Sequence, residues 1–219
     1  MVEPGRIVIL NGAPRSGKSS IAEVIQTDFD GVWMNLGVDV FARHVTPARY
    51  QPGIGLRPGG ERPDLEPFVA TSYAAMYESI AAHSRLGFNV VVDVGHHDSY
   101  SRPRSTLLDG ARRLRGLPVI IVGVRCPIEE IMRRRGASPA GRYVSGTPDE
   151  PVPPPVLRWQ SEVHKPGIYD LEVDTSLVQP NECAAEIRRV LTASSHAAAL
   201  DRLLELAESE LSSSTSWRG

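Results

Sequence analysis

The stretch GAPRSGKS at residues 12–19 constrains the fold of this chain more than any other feature. It fits the pattern G-x-x-x-x-G-K-[S/T], follows the apolar run RIVIL (6–10) and opens KSSIAEVIQ, which has a helical pattern. A strand, a glycine-rich turn and a helix in this order predict a phosphate-binding loop, where backbone N–H groups and the helix dipole face phosphate oxygens. Lys18 would reach the β and γ phosphates, and the Ser19 hydroxyl would bind Mg²⁺. The alternative is a chance match in a glycine- and serine-rich turn, and the flanking strand and helix argue against it.

The rest of the chain alternates short apolar runs with helical patterns, which predicts an α/β fold with a parallel sheet covered on both faces. Beyond the first strand, the apolar runs predict strands at VWMNLGV (32–38), NVVVDV (89–94), PVIIVGV (118–124) and, more weakly, DLEVDT (170–175). Helical patterns beyond the first helix lie at about 67–86, 102–115, 127–135, 156–164, 180–193 and 199–211.

Two proline-rich segments, 46–67 and 136–155, interrupt this rhythm. Proline removes a backbone donor and clashes with the preceding turn, so neither segment can be a regular helix. Long irregular excursions inside a compact domain are usually functional or disordered.

Charge and composition exclude several other classes of protein. The net charge of -2 gives no reason to expect a nucleic-acid or membrane surface, and no apolar run approaches the ~20 residues of a membrane span. The N-terminus lacks the basic start and cleavage site of a signal peptide. Cys126 and Cys183 have no metal or redox spacing, so we expect buried thiols in a reducing cytoplasm.

Asp93 stands at the end of the run NVVVD, where a carboxylate would hold Mg²⁺ directly or through water. An acid that meets solvent at a strand end is the alternative. His96 and His97 follow in GHHD, and because adjacent side chains point in different directions, a shared metal is not expected. We expect them to line the acceptor cleft or to lie in a loop.

The segment MRRRGASPAGR (132–142) brings arginines to the start of the second proline-rich segment. Arginine directed at a transferring phosphoryl group contributes on the order of 10³ to 10⁵ in rate. A closing segment that carries it would also exclude water and suppress hydrolysis. The alternative for RRR is a solvated helix end, since cations suit a helix C-terminus. The chain lacks the N-K-x-D motif of a GTPase, so transfer to an acceptor is favoured over a switch.

Asp39, in VWMNLGVDVF, interrupts an apolar stretch and has two interpretations. As a helix cap it would favour Glu or Gln three residues later, and Ala42 stands there instead. As a catalytic group it would lie where the second strand ends, at the sheet edge where α/β proteins bind ligands. There it could take the proton of an acceptor hydroxyl.

The order of ILNGAPRSGKS, LGVD, VVVD, VGVRC and VHKPGIYDLEVDTS resembles the chloramphenicol phosphotransferase family over roughly residues 6–192. The resemblance implies an ATP-dependent kinase with the nucleoside-kinase-like P-loop fold, a three-layer sandwich around five parallel strands in the order 2-3-1-4-5. It implies a kinase domain over 1–195, with an acceptor excursion at about 44–73 and a lid at about 133–156. A C-terminal helix and tail would follow at 196–219.

The resemblance also implies residue roles. Asp39 would be the general base, Lys18 a phosphate ligand, and Arg134 and Arg142 the lid arginines that act on the transition state. Mg²⁺ would be held by Ser19 and Asp93. The expected ATP-binding residues are Gly12, Ala13, Pro14, Arg15, Ser16, Gly17, Lys18, Ser19, Ser20 and Arg133. The expected acceptor-binding residues are Val40, Phe41, Tyr73, His96 and His97. Gln160 also matches a family position, without an evident role.

The chain departs from the family pattern at Val94, where a second acid is common, in its longer lid, and in the helix past residue 196. That helix either docks on its own domain or forms a homo-oligomer surface. We expect a cytoplasmic kinase that phosphorylates an alcohol of a small molecule, of the antibiotic or secondary-metabolite type. The alternatives are a kinase of a primary metabolite, such as a sugar acid or nucleoside, and a toxin-like P-loop protein with a larger acceptor.

Overall fold

The computed structural model describes residues 2–51, 63–102, 104–137, 146–193 and 198–215, with side chains up to residue 210. Five parallel strands form one sheet in the order β2-β3-β1-β4-β5, which confirms the predicted order. The strands are β1 (Ile7–Asn11), β2 (Trp33–Asn35), β3 (Asn89–Val94), β4 (Val119–Arg125) and β5 (Leu171–Asp174). All of β1 is buried, as a central strand covered on both faces should be.

The helices are α1 (Lys18–Asp28), α2 (Val38–Val40), α3 (Glu66–Arg85), α4 (Thr106–Arg113), α5 (Ile128–Gly136), α6 (Pro154–Glu162), α7 (Pro180–Ala193) and α8 (Ala198–Thr215). A π-helical segment, Phe41–Val45, follows α2, and 3₁₀ turns lie at Ala48–Tyr50 and Pro63–Leu65. The prediction for 199–211 was too short, because α8 continues to Thr215.

Two apolar clusters hold the three layers together. On one face of the sheet, α1 and α7 pack on β-branched side chains such as Val8 and Val91. On the other face, α3, α4 and α8 pack on Ile7, Ile9 and Val92. Leu200 and Leu203 of α8 belong to this second cluster, so the C-terminal helix docks on its own chain.

The second strand is shorter than the predicted 32–38. Leu36 still donates its N–H to the carbonyl of Val91, but the chain then turns at Gly37 and enters α2. Gly37 passes so close to β3 that an added Cβ would lie 3.0 Å from the Asp93 backbone. This turn brings the residues after β2 to the end of β3. Among the described residues, no helix combines the length and apolarity needed to cross a membrane.

Candidate active site

The phosphate loop lies between β1 and α1, where the sequence predicted it. Gly17 caps α1 with a left-handed φ of 95°, a conformation that favours glycine. Arg15 also has a positive φ of 72°, while Ala13 and Ser16 are buried beneath the loop. The backbone therefore has the curled form that exposes N–H groups to an anion.

Contacts from distant parts of the chain fix this loop. The Thr175 hydroxyl donates to the carbonyl of Ser16 at 2.6 Å. Arg134 donates to the carbonyl of Arg15 at 3.3 Å, and Arg15 donates to the carbonyl of Arg134 at 2.7 Å. The loop is thus tied to α5 and to the end of β5.

Lys18, Ser19 and Asp93 meet at the carboxyl ends of β1 and β3. The Ser19 hydroxyl donates to Asp93 Oδ2 at 2.6 Å, and Lys18 Nζ lies 3.6 Å from Asp93 Oδ1. Lys18 is 7% exposed and donates to the carbonyls of Gly12 and Ala13, both at 2.9 Å. One ammonium, one hydroxyl and one carboxylate therefore surround the place where phosphates would lie.

This donor set fits a hydrated Mg²⁺. Among the described residues, no three His, Cys, Asp or Glu side chains converge as a metal site. Mg²⁺ usually keeps several waters and binds through one or two protein groups together with substrate phosphates. Ser19 and Asp93, in contact with each other, match that pattern.

The arginines of α5 contact a glutamate that the sequence interpretation overlooked. Glu130 accepts hydrogen bonds from Arg133 at 2.6 and 2.7 Å and from Arg134 at 2.6 Å. Hydrogen bonds from Arg133 and then Arg134 lower the pKa of Glu130 to about 2. Arg134 also donates to Thr175 Oγ1 at 3.0 Å and to the Thr175 carbonyl at 2.7 Å. Arg142 lies outside the described residues.

Asp39 lies in the first turn of α2 and lines the same cavity as Lys18 and Asp93. Gly37 holds the N-cap position, so Asp39 is not the cap of this helix. Its carboxylate is exposed and accepts a hydrogen bond from Arg43 at 2.9 Å. Gly37 packs directly against Asp93, so the start of α2 lies next to the end of β3.

The π-helical segment after Asp39 turns three consecutive side chains, Phe41, Ala42 and Arg43, to the cavity. Such segments are frequent at functional sites. Thr46 closes the segment, since its N–H and hydroxyl both donate to the carbonyl of Phe41. Gln51 donates to the carbonyl of Thr46 at 2.8 Å.

One cavity of about 1170 Å³ is lined by the phosphate loop, by polar side chains and by a set of aromatic and aliphatic side chains. We call part of this last set the acceptor wall: Val38, Phe41, Phe68, Val69, Tyr73, Met76, His97 and Tyr100. Burial, with a smaller contribution from Asp93, raises the pKa of Tyr73, so its hydroxyl stays protonated at neutral pH. Phe41, Tyr73 and His97 thus lie where the sequence predicted acceptor contacts.

The structure does not bring His96 and Val40 into this cavity. His96 is 2% exposed, its Nε2 lies 2.6 Å from the Tyr77 hydroxyl, and its Nδ1 lies 3.1 Å from Thr106 Oγ1. Burial, with a contribution from His97, lowers its pKa to about 3, so the ring is neutral. Of the two adjacent histidines, one belongs to the core and the other to the cavity.

Several cavity residues escaped sequence reasoning. Trp159 lines the cavity with its ring edge against His97, and His97 also stacks on Tyr100. Thr175 was visible only as part of a family block, and Gln160 donates to the carbonyl of Cys126 at 2.8 Å, which joins α6 to the end of β4. The only available signal was aromatic residues near the predicted cleft.

A parallel sheet in this order, a phosphate loop after its central strand and a carboxylate beside the loop define a P-loop phosphotransferase of the kinase type. The chain matches the chloramphenicol phosphotransferase-like proteins over residues 5–192 and belongs to that family.

Relatives agree with this class. Two Mycobacterium tuberculosis proteins, from strains CDC 1551 and H37Rv, are provisionally named O-phosphotransferases. Each is 27% identical over 215 residues, which cover 91% of this chain and 88% of the relative.

Solved structures share the fold at lower sequence identity. A sugar kinase from Janibacter sp. HTCC2649 has a TM-score of 0.60 at 17% identity, covering 87% of this chain and 96% of its own. A shikimate kinase from Acinetobacter baumannii has a TM-score of 0.54 at 10% identity, covering 87% and 94%.

Proposed function

We propose that this protein transfers the γ-phosphoryl group of ATP to a hydroxyl of a small molecule with an apolar, ring-bearing body, as in an antibiotic or another secondary metabolite. Family membership and the phosphate loop support the transfer. The acceptor wall is the observation that favours an apolar acceptor, since pockets for drug-sized ligands are mostly hydrophobic with a few placed polar groups.

Asp39 is the general base of the proposed reaction. Its carboxylate takes the proton of the acceptor hydroxyl while the alcohol oxygen bonds to the γ phosphorus. The bond between that phosphorus and the bridging oxygen of ADP breaks, and the products are a phosphate ester and ADP. The proton on Asp39 then passes to water. Asp39 lines the same cavity as Lys18 and Asp93, which supports this role.

The other cavity residues stabilise the negative charge of the phosphates. Lys18 and the backbone N–H groups of the loop bind the phosphates, where fixed donors stabilise developing charge most effectively. Mg²⁺, held by Ser19 and Asp93, would neutralise phosphate oxygens. Arg134 is bonded to the loop through Arg15 and Thr175, which supports a role near the phosphates. Arg142 is proposed as its partner from the family pattern alone.

A sugar acid is the second candidate acceptor, and Arg43 favours it. The Arg43 guanidinium lines the cavity next to Asp39 and is half exposed. A guanidinium binds a carboxylate through two parallel hydrogen bonds. An acidic acceptor would therefore draw Arg43 away from Asp39 as it binds.

The Asp39→Asn variant tests the mechanism. We expect transfer to fall by about 10² to 10⁴, the usual contribution of a general base, with unchanged nucleotide affinity. Asp201→Asn, at an exposed position on α8, is the matched control. Transfer would be followed as ADP release over a panel of aromatic alcohols and sugar acids. Unchanged turnover in Asp39→Asn would remove this residue from the mechanism.

A further inference from the structure

Helix α6 carries Trp159 to the edge of the phosphate site on a rigid support. Val156 and Val163 of this segment are buried against Ala13 of the phosphate loop, and Trp159 packs on the same cluster. Asn11, the residue before the loop, donates its side-chain amide to the carbonyl of Val163 at 2.7 Å. The Trp159 ring therefore has a fixed position relative to the loop.

The indole N–H of Trp159 is buried and has no hydrogen-bond partner within the part of the chain that the structure describes. The ring itself is well packed, because its edge meets the His97 ring with centroids 5.5 Å apart at an angle of 70°. A buried donor without a partner is destabilising, and indole N–H groups usually find a partner when buried. A cavity-lining side chain with such a donor is organised for a ligand oxygen.

The surroundings of this N–H belong to the phosphate end of the cavity. A Cβ added to Gly95 would lie 3.4 Å from Trp159 Nε1 and 3.1 Å from the carbonyl oxygen of Gly12. Lys18 donates to that same carbonyl oxygen. The indole N–H and the Lys18 ammonium thus both lie near the first glycine of the phosphate loop, and the missing side chain of Gly95 lets the indole approach this closely.

We infer that the Trp159 N–H donates a hydrogen bond to a γ-phosphate oxygen of bound ATP, an inference that rests on the proposed use of ATP. The donor comes from α6, whereas the arginines that contact the loop come from α5. It adds a neutral hydrogen-bond donor to the cationic groups at the loop. Because ADP lacks the γ phosphate, the contact distinguishes ATP from ADP.

The test compares Trp159→Phe with the unaltered protein by calorimetry, using Mg²⁺ with ADP or with the non-hydrolysable analogue AMP-PNP. Phenylalanine keeps an aromatic ring and removes the N–H. We expect about tenfold weaker AMP-PNP binding, the loss of one hydrogen bond to a charged oxygen, and unchanged ADP binding. Trp33→Phe is the matched control, because Trp33 donates to the carbonyl of Asp30 at 3.1 Å and does not line the cavity.

A second measurement detects the contact in the unaltered protein and uses the variant only to assign the resonance. In the ¹⁵N-labelled protein, the Trp159 indole resonance, identified by its loss in Trp159→Phe, should move downfield with AMP-PNP and not with ADP. This inference is overturned if the variant binds AMP-PNP as tightly as the unaltered protein does, or if the indole resonance does not shift with AMP-PNP. Either result leaves the proposed function intact. If the unaltered protein did not bind AMP-PNP at all, both would be overturned.

Discussion

The phosphate loop and the segment that carries Asp39 lie on opposite sides of Asp93 and are held in different ways. The loop is bonded to residues far away in sequence, including Thr175 and Arg134, and its Ser16 and Lys18 are buried. Within the described residues, the hydrogen bonds of residues 38–51 join partners at most eight positions apart. Thr46 is the buried residue of that segment.

This contrast matches two tasks of a transferase. Phosphate recognition benefits from donors fixed before the ligand arrives, because they need no reorganisation in the transition state. In the proposed reaction the acceptor is recognised by a segment supported by local bonds, and such regions open at low free-energy cost. Changes in the loop should therefore affect nucleotide binding and transfer together, whereas changes around Asp39 should affect transfer alone.

Among changes in the phosphate loop, Lys18→Gln should have the largest effect on transfer. It removes the ammonium that lies between the loop carbonyls and Asp93, and with it the main protein charge at the phosphates. We expect transfer to fall by about 10² to 10³, as when a single oxyanion donor is lost, together with weaker ATP binding. Steady-state kinetics and calorimetry with AMP-PNP measure the two effects.

Lys165→Gln is the matched control, since Lys18 and Lys165 are the only lysines of the chain. Lys165 is exposed and pairs with Glu162, away from the cavity. If Lys18→Gln lowered transfer and left nucleotide affinity intact, the proposed division of tasks between the phosphate loop and the Asp39 segment would be wrong.

The buried His96 makes the free energy of unfolding of the protein depend on pH. Its backbone N–H donates to Asn11, and its folded pKa of about 3 lies below the ~6.5 of an unfolded histidine. Between these values the unfolded chain binds a proton that the folded chain does not, so the free energy of unfolding falls as pH decreases. The slope from this one group is about 1.4 kcal/mol per pH unit.

Urea unfolding at pH 5 and 6 measures this slope, a third measurement at pH 7.5 gives the stability above the unfolded pKa, and His96→Gln should remove most of the stated slope between pH 5 and 6. His164, whose pKa is lowered to about 4 by burial and by Arg125, acts in the same direction. The informative quantity is therefore the difference between the unaltered protein and the variant. Equal slopes in both proteins would contradict a buried neutral His96.

The sequence was sufficient for the parts that local chemistry determines. The glycine, lysine and serine spacing and the β-branched runs predicted the phosphate loop and a parallel sheet, and Ser19 does contact Asp93. The order of the strands was predicted only through the family resemblance. The roles given to Asp39 and the arginines stay predictions.

Side-chain environments that depend on tertiary packing could not be predicted from the sequence. His96 and His97 are adjacent and chemically identical, and only the packing of α3 and α4 on β3 assigns one to the core. Glu130 is three residues before Arg133, a spacing any exposed helix can show, so its contact with both arginines carried no special signal. Trp159 lies on α6, which is held by apolar packing and by the hydrogen bond from Asn11 to the carbonyl of Val163, contacts between residues far apart in sequence.

Arg43→Gln should have the smallest effect on stability and the most selective effect on function. The Asp39–Arg43 pair is exposed, with side chains 72% and 51% accessible, and such pairs contribute about 0–1 kcal/mol. We therefore expect the free energy of unfolding to change by less than about 0.5 kcal/mol.

With an aromatic alcohol, turnover should change by less than about fivefold, the equivalent of ~1 kcal/mol. With a sugar acid, kcat/KM should fall at least about tenfold, because hydrogen bonds to a charged carboxylate are lost. Arg202→Gln, on the exposed face of α8, controls for the loss of one positive charge. A large loss with the aromatic alcohol would show that Arg43 positions Asp39, and the base-bearing segment would then be as preorganised as the phosphate loop.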